Sequence, residues 1–120
     1  KFAWAELLRQ QDRRADAVKL YSELAADVRS KEGSAAAYYV LEDTFEKGDM
    51  DKTEKAIFAY SEREPQAYWL AKAFILLGDV YVRKGDNFQA RATYQSVADG
   101  YSPADDGIVD EAKERIAKLN

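Results

Sequence analysis

Large apolar side chains recur every three or four residues along most of this chain, which is the spacing of one face of an α-helix. The clearest stretch covers residues 69 to 101 and reads WLAKAFILLGDVYVRKGDNFQARATYQSVADGY. Its first half places Phe74, Leu77 and Tyr81 on one stripe, and its second half has a stripe of its own around Tyr94. The pattern therefore predicts two amphipathic helices joined by a short turn.

The residues of that turn have the chemistry of a helix end followed by a helix start. Gly85 is suited to the left-handed conformation that ends many helices, and Asp86 or Asn87 is suited to cap the next one. Gly78 and Ala90 are small residues, one in each helix. We expect the two helices to approach each other closely at these small residues.

The same hairpin recurs earlier in the chain. The turn glycines Gly48 and Gly85 are 37 residues apart, and a shift of 73 residues places Tyr21 on the position of Tyr94. We therefore expect three hairpins in series, followed by a last helix that covers the third hairpin. The hairpins are predicted at about residues 2–30, 34–61 and 66–101, and the last helix at residues 108–119.

The break between the first and second hairpins is predicted at residues 31 to 34. The second helix of the first hairpin is expected to run from Ala15 to about Ser30. Gly33 is then expected to close that helix as its C-cap, and Ser34 to open the next helix as its N-cap.

Composition agrees with a single all-helical domain of 120 residues. Apolar residues make up 47% of the chain and charged residues 33%, with only two prolines, as in soluble helical proteins. The net charge of −4 argues against binding to nucleic acid, because phosphates need a basic patch. The longest apolar run, residues 73–78, is far shorter than the roughly 20 residues that span a bilayer. Since the chain begins at Lys1 without a methionine, we expect it to be a fragment of a longer protein.

Candidate chemistry is sparse, because the chain contains no cysteine and no histidine. The best candidates are four carboxylates in turns, Asp49, Asp51, Asp105 and Asp106. A calcium loop of the EF-hand type starting at Asp49 needs glutamate at its twelfth position, where this chain has Tyr60. We therefore assign these carboxylates to turns and caps and expect a non-enzymatic protein with no cofactor and no metal.

The hairpin at residues 66–101 resembles one tetratricopeptide (TPR) repeat. The residues that carry the resemblance are a small residue, an aromatic three later, a turn glycine, an alanine and a second aromatic four beyond it, namely Gly78, Tyr81, Gly85, Ala90 and Tyr94. The resemblance implies an all-α, right-handed α-solenoid of three TPR-like hairpins plus a C-terminal capping helix, about seven helices in all.

The resemblance also implies where a partner binds. In TPR folds the first helix of each hairpin lines a concave groove, and the positions beside the packing stripe face the ligand. Transferred to this chain, those positions are Phe2, Glu6 and Arg9 in the first hairpin, Tyr38, Glu42 and Phe45 in the second, and Lys72, Ile75, Asp79 and Val82 in the third.

Three of these groove positions are acidic, Glu6, Glu42 and Asp79. Some TPR domains bind the C-terminal carboxylate of a chaperone with lysine and asparagine at these positions, and acids there repel such a ligand. The expected partner is therefore a basic or apolar protein or peptide. We expect no nucleic-acid partner and no direct membrane insertion.

These patterns favour a protein–protein interaction scaffold. From about Glu32 onward the chain resembles bacterial envelope TPR proteins of the BamD- and YbgF-like group and large TPR proteins of Bacteroidetes, which implies a periplasmic or membrane-tethered location. Two alternatives stay open, an architectural spacer or oligomerisation segment of a larger envelope protein, and a carbohydrate-binding or carboxylate-based module.

Overall fold

The computed structural model describes residues 14–102 and 106–119, and every regular element in these ranges is a helix. The prediction of an all-α fold is confirmed for this part of the chain. The helix expected at Phe2 to Gln11 lies outside the described residues. The six described helices are α1 (Arg14–Leu24), α2 (Lys31–Glu46), α3 (Met50–Glu62), α4 (Ala67–Arg83), α5 (Asn87–Gly100) and α6 (Ile108–Ala117).

The helices pack in chain order, and alternate helices also pack on one another. Each helix contacts the next one along the chain, from α1 through α6. In addition, α2 packs against α4, and α4 packs against α6. The helices α2, α4 and α6 therefore lie side by side in one layer, which we call the inner layer, while α3 and α5 pack against it.

The core follows from the apolar stripes. Helix α4 is the most apolar of the six, and it supplies the largest share of the main apolar cluster because it lies between α2 and α6 in the inner layer. One continuous cluster extends from Val28 to Ala112 through α2, α3, α4 and α5. A smaller cluster of Ala17, Tyr21 and Ala36 joins α1 to α2.

Two turns have the chemistry expected from sequence. Gly48 and Gly85 have φ angles of 89° and 80°, so both adopt the left-handed conformation that glycine tolerates best. Asp49 and Asp86 then cap the following helices, because their carboxylates accept hydrogen bonds from the backbone N–H groups three residues later. The predicted roles of Gly85 and Asp86 are confirmed.

The predicted break at residues 31–34 is wrong. Helix α1 ends at Leu24, and α2 begins at Lys31 with Ser30 as its N-cap, whose hydroxyl accepts a hydrogen bond from the N–H of Gly33 at 2.9 Å. Gly33 and Ser34 therefore lie inside the first turn of α2. The glycine serves close packing there, since a Cβ atom on Gly33 would lie 1.6 Å from the carbonyl oxygen of Asp27.

Ser34 joins three segments at the start of α2. Its hydroxyl donates a hydrogen bond to the carbonyl of Val28 and accepts one from the N–H of Gln66 at 2.9 Å. Its own carbonyl accepts a hydrogen bond from the hydroxyl of Tyr60 at 2.7 Å. The loop before α2, the end of α3 and the start of α4 are thus held together by one buried serine.

Helix α5 packs tightly against α4 at Gly78. A Cβ atom there would lie 2.2 Å from Cε1 of Tyr94, and the three nearest atoms all belong to that ring. The small residue expected at this crossing therefore makes room for the ring of Tyr94, which is 1% exposed.

Replacement of Tyr60 by phenylalanine should change stability in a pH-dependent way. At neutral pH, loss of the buried hydrogen bond to the Ser34 carbonyl should lower the free energy of unfolding by about 1–2 kcal/mol. Burial raises the pKa of the Tyr60 phenol above its usual value of 10.0. The unfolded chain therefore releases this proton first, and the stability that depends on the neutral phenol is lost as pH rises above about 10.

Urea unfolding measured between neutral and strongly alkaline pH tests this prediction. The Tyr60→Phe protein should lose less stability than the unchanged protein as pH rises above about 10, because it has one ionisable phenol fewer. Tyr68→Phe, at an exposed tyrosine, serves as the control for stability at neutral pH. Parallel alkaline slopes for Tyr60→Phe and the unchanged protein would contradict the argument.

Candidate protein-binding groove

The groove positions expected from sequence fall into three sets. The set from the first hairpin, Phe2, Glu6 and Arg9, lies outside the described residues. The other two sets lie on neighbouring helices of the inner layer. On α2 they are Tyr38, Glu42 and Phe45, and on α4 they are Lys72, Ile75, Asp79 and Val82.

Tyr38 and Ile75 belong to the core and not to an open surface. Their exposed fractions are 7% and 2%, and both are part of the main apolar cluster. The ring of Tyr38 packs against the ring of Trp69 at 5.5 Å between centroids. Because α4 packs on both α2 and α6, side chains that point toward those neighbours are covered. These two residues therefore offer a partner very little accessible surface.

Three of the expected residues, Phe45, Asp79 and Val82, line a single pocket of about 310 Å³. Its remaining lining comes from α4, α5 and from α6 and the turn that follows it. Glu42 and Lys72 lie on the same layer and are half-buried, but they do not line the pocket. The additional lining residues are Arg83, Tyr94, Arg115, Lys118 and Leu119.

Asp79 lines the pocket, and both of its carboxylate oxygens accept hydrogen bonds. Its Oδ1 accepts hydrogen bonds from the hydroxyl of Tyr94 and from Nε of Arg115 at 3.0 Å, and its Oδ2 accepts one from Nη2 of Arg115 at 3.4 Å. The hydrogen bond to Asp79 raises the pKa of Arg115. Burial and the same carboxylate raise the pKa of Tyr94. Asp79 is therefore an ion-paired anchor of α6 on α4.

A line of alternating charges extends from Asp79 across the inner layer. Arg115 also faces Glu111 one turn earlier on α6 at 3.5 Å. Glu111 in turn faces Lys72 of α4 at 3.8 Å. The ammonium group of Lys72 lies 5.8 Å from the ring centroid of Tyr38 on α2. This line connects all three helices of the layer.

Arg83 stands at the rim of the pocket. The carbon of its guanidinium lies 4.7 Å from the ring centroid of Phe45, which is the geometry of a cation–π contact. The side chain is exposed, and within the described part of the chain it forms no ion pair with a carboxylate. A guanidinium placed in this way keeps its N–H donors available.

Sequence reasoning missed the contributions of Arg83, Arg115 and Lys118. Arg83 directly follows Val82, so its position beside the predicted stripe was a usable signal. Arg115 and Lys118 come from the last helix and its end, which were expected only to cover the third hairpin. However, a helix that packs on α4 also places its own side chains beside those of α4, and here they line the same pocket.

The carboxylates considered for chemistry have structural roles. Asp49 caps α3, and Asp51 forms an ion pair with Lys84 at 2.6 Å, which lowers the pKa of Asp51. Asp106 accepts hydrogen bonds from the hydroxyl of Tyr101 and from the N–H of Ile108. Asp105 lies outside the described residues.

Neither a metal centre nor a membrane span is found in residues 14–102 and 106–119. No group of three His, Cys, Asp or Glu side chains in these ranges is arranged to hold a metal ion. No described helix combines the length and apolar character needed to cross a bilayer. No protein-family model, no curated protein and no solved structure matches this chain.

Proposed function

We propose that this chain is a non-enzymatic scaffold of the TPR type, built as a right-handed α-solenoid of helical hairpins, which binds a protein or peptide on its inner layer. The observation that carries the proposal is the pocket of about 310 Å³ whose lining comes from all three inner-layer helices. A partner seated there contacts several hairpins at once, which is how stacked helical repeats form extended binding surfaces.

The packing order supports the repeat part of the proposal. The first helices of the second and third hairpins, α2 and α4, contact each other directly, and the last helix α6 packs on α4 in the same layer, as in stacked repeats. Two hairpins turn at glycines with the same left-handed conformation, followed in both cases by a capping aspartate. The ring of Tyr94 packs directly against Gly78, which gives a structural reason for two of the five residues on which the resemblance rests.

The envelope location stays part of the proposal. It is supported by the resemblance of the chain from about Glu32 onward to bacterial envelope TPR proteins. A scaffold held there, in the periplasm or tethered to a membrane, would serve as a contact site between other envelope proteins.

Selection from a library of displayed random peptides on the immobilised chain tests the binding function. Enriched peptides should lose about fivefold to tenfold in affinity when Val82 is replaced by glutamine, because an apolar contact in the pocket is lost. Phe88→Gln is the matched control, since Phe88 is an apolar residue with 85% exposure that does not line the pocket. It should bind within about twofold of the unchanged chain.

Two results would count against the scaffold. If no peptide is enriched over a blank surface, the binding function has no support. If Val82→Gln and Phe88→Gln weaken the enriched peptides equally, the pocket is not the binding site. Self-association of the unchanged chain in light scattering, with no peptide enriched, would favour an oligomerisation segment instead.

A further inference from the structure

We propose that the pocket recognises an acidic segment of a partner, in which an internal Asp or Glu side chain stands next to an apolar one. This inference rests on the proposed binding function and specifies its ligand. It replaces the basic or apolar partner expected from sequence with an acidic one. The reason lies in how the charges of the pocket are arranged.

The pocket lining has more bases than acids in a chain with a net charge of −4, and Arg83 is its one base without a carboxylate partner among the described residues. The lining contains one acid, Asp79, and three bases, Arg83, Arg115 and Lys118. Both oxygens of Asp79 already accept hydrogen bonds from Tyr94 or Arg115. A cationic ligand would have to displace Arg115 from this carboxylate while approaching the other bases. Of the three acids that suggested a basic partner, Asp79 is therefore already neutralised by Arg115.

Arg83 is the group best placed to bind the incoming carboxylate. A guanidinium matches a carboxylate with two parallel N–H donors, which makes such contacts both strong and directional. The ring of Phe45 lies under this guanidinium at 4.7 Å and limits its movement. A donor that is already held in place loses less conformational freedom when the ligand binds.

Lys118 supplies a second cation close to the same opening. Its ammonium group faces Glu114 at 3.3 Å, one turn away on a solvent-exposed surface. An ion pair of this kind contributes little to stability, since water and salt screen it. Lys118 can therefore turn toward a ligand at small cost.

The remaining wall explains why the acidic side chain should have an apolar neighbour. Phe45, Val82 and Leu119 line the pocket, and Val82 is 40% exposed. An apolar ligand side chain that covers this wall removes it from water, which adds affinity. The charged rim and the apolar wall then select two adjacent features of one segment.

The peptide selection described above, carried out at low ionic strength, provides the probe. Enriched sequences should be acidic, with Asp or Glu beside Leu, Ile, Val or Phe. The most enriched one is then synthesised with a fluorescent label, together with a copy in which every Asp and Glu is changed to Asn and Gln. Fluorescence anisotropy should show that the amide copy binds at least about tenfold more weakly, and that added salt weakens the acidic peptide more.

The protein variants locate the effect. Arg83→Gln should bind the acidic peptide about tenfold more weakly and should bind the two peptides nearly equally. Lys113→Gln removes the same charge from an exposed position of α6 that does not line the pocket, and it should keep the full preference. Circular dichroism should show that both variants keep the helical content of the unchanged chain.

The outcomes separate this inference from the function on which it rests. Basic or neutral peptides that are enriched and weakened by Val82→Gln would support the groove and overturn the acidic ligand. An equal loss for Arg83→Gln and Lys113→Gln would overturn the role of Arg83. Loss of binding on amidation of the peptide's C-terminus would assign recognition to a terminal carboxylate and overturn the internal side chain. The absence of any enriched peptide would remove both proposals.

Discussion

Replacing Gly78 with alanine should lower the free energy of unfolding by about 2 kcal/mol, although alanine is the better helix former. The added methyl group would lie 2.2 Å from Cε1 of Tyr94. That ring cannot easily move, because it is 1% exposed and its hydroxyl is bonded to Asp79. Helices α4 and α5 must therefore separate. Urea unfolding followed by circular dichroism measures the loss as a lower midpoint.

A matched control and a double variant test the stated cause. Gly100→Ala, at the exposed end of α5 where nothing lies within 4 Å of the added Cβ, should leave stability unchanged or raise it by up to about 1 kcal/mol. In a Tyr94→Leu background, Gly78→Ala should cost much less than it does alone, since the ring that obstructs the methyl group is gone. A cost that is the same in both backgrounds would show that the clash lies elsewhere.

Replacing Gly33 with alanine should cost about 3 kcal/mol or more. The new Cβ would lie 1.6 Å from the carbonyl oxygen of Asp27 and 2.9 Å from the hydroxyl of Ser30. These neighbours include rigid backbone, so the loop before α2 must rebuild. The rebuilt loop would lose the N-cap at Ser30 and the contact of Ser34 with Val28.

The neighbouring substitution Lys31→Ala is the control for Gly33→Ala. Lys31 is exposed in the same helical turn, and its replacement should change stability by less than about 0.5 kcal/mol. Hydrogen exchange in α2 and at the start of α4 should increase in Gly33→Ala, because both segments meet at Ser34. If Gly33→Ala unfolds at the same urea concentration as Lys31→Ala, the close packing of Asp27 on Gly33 is not important for stability.

Local signals in the sequence were sufficient for most of the helical pattern. The turn between α4 and α5 was predicted correctly because the roles of Gly85 and Asp86 depend only on residues close to them in the chain. Gly85 adopts the left-handed conformation, and Asp86 caps the helix that directly follows it. The start of α2 was predicted incorrectly, because glycine followed by serine, as at Gly33 and Ser34, is also typical of a helix end followed by an N-cap. Their actual places depend on Asp27, Val28 and Gln66, and the last of these is 32 residues away from Ser34.

The candidate site was harder to predict for the same physical reason. Helical spacing shows which residues share a face, but it does not show which flank of that face a neighbouring helix covers. Ile75 is covered, whereas Val82 is 40% exposed on the same helix. The charge of the pocket depends on Arg115, which lies 36 residues after the carboxylate of Asp79 that it neutralises. No local pattern links those two residues.

The ion pair between Asp79 and Arg115 also makes the pocket depend on the packing of α6 against α4. Part of its wall, including Arg115, belongs to α6, so the complete pocket exists only while α6 is docked on α4. The observed affinity of any ligand is then the affinity of the docked form multiplied by its population. By thermodynamic reciprocity, a ligand that fills the pocket holds α6 in place, and whatever releases α6 weakens that ligand by the same factor. The docking of α6 on α4 would thus set how strongly the pocket binds its ligand.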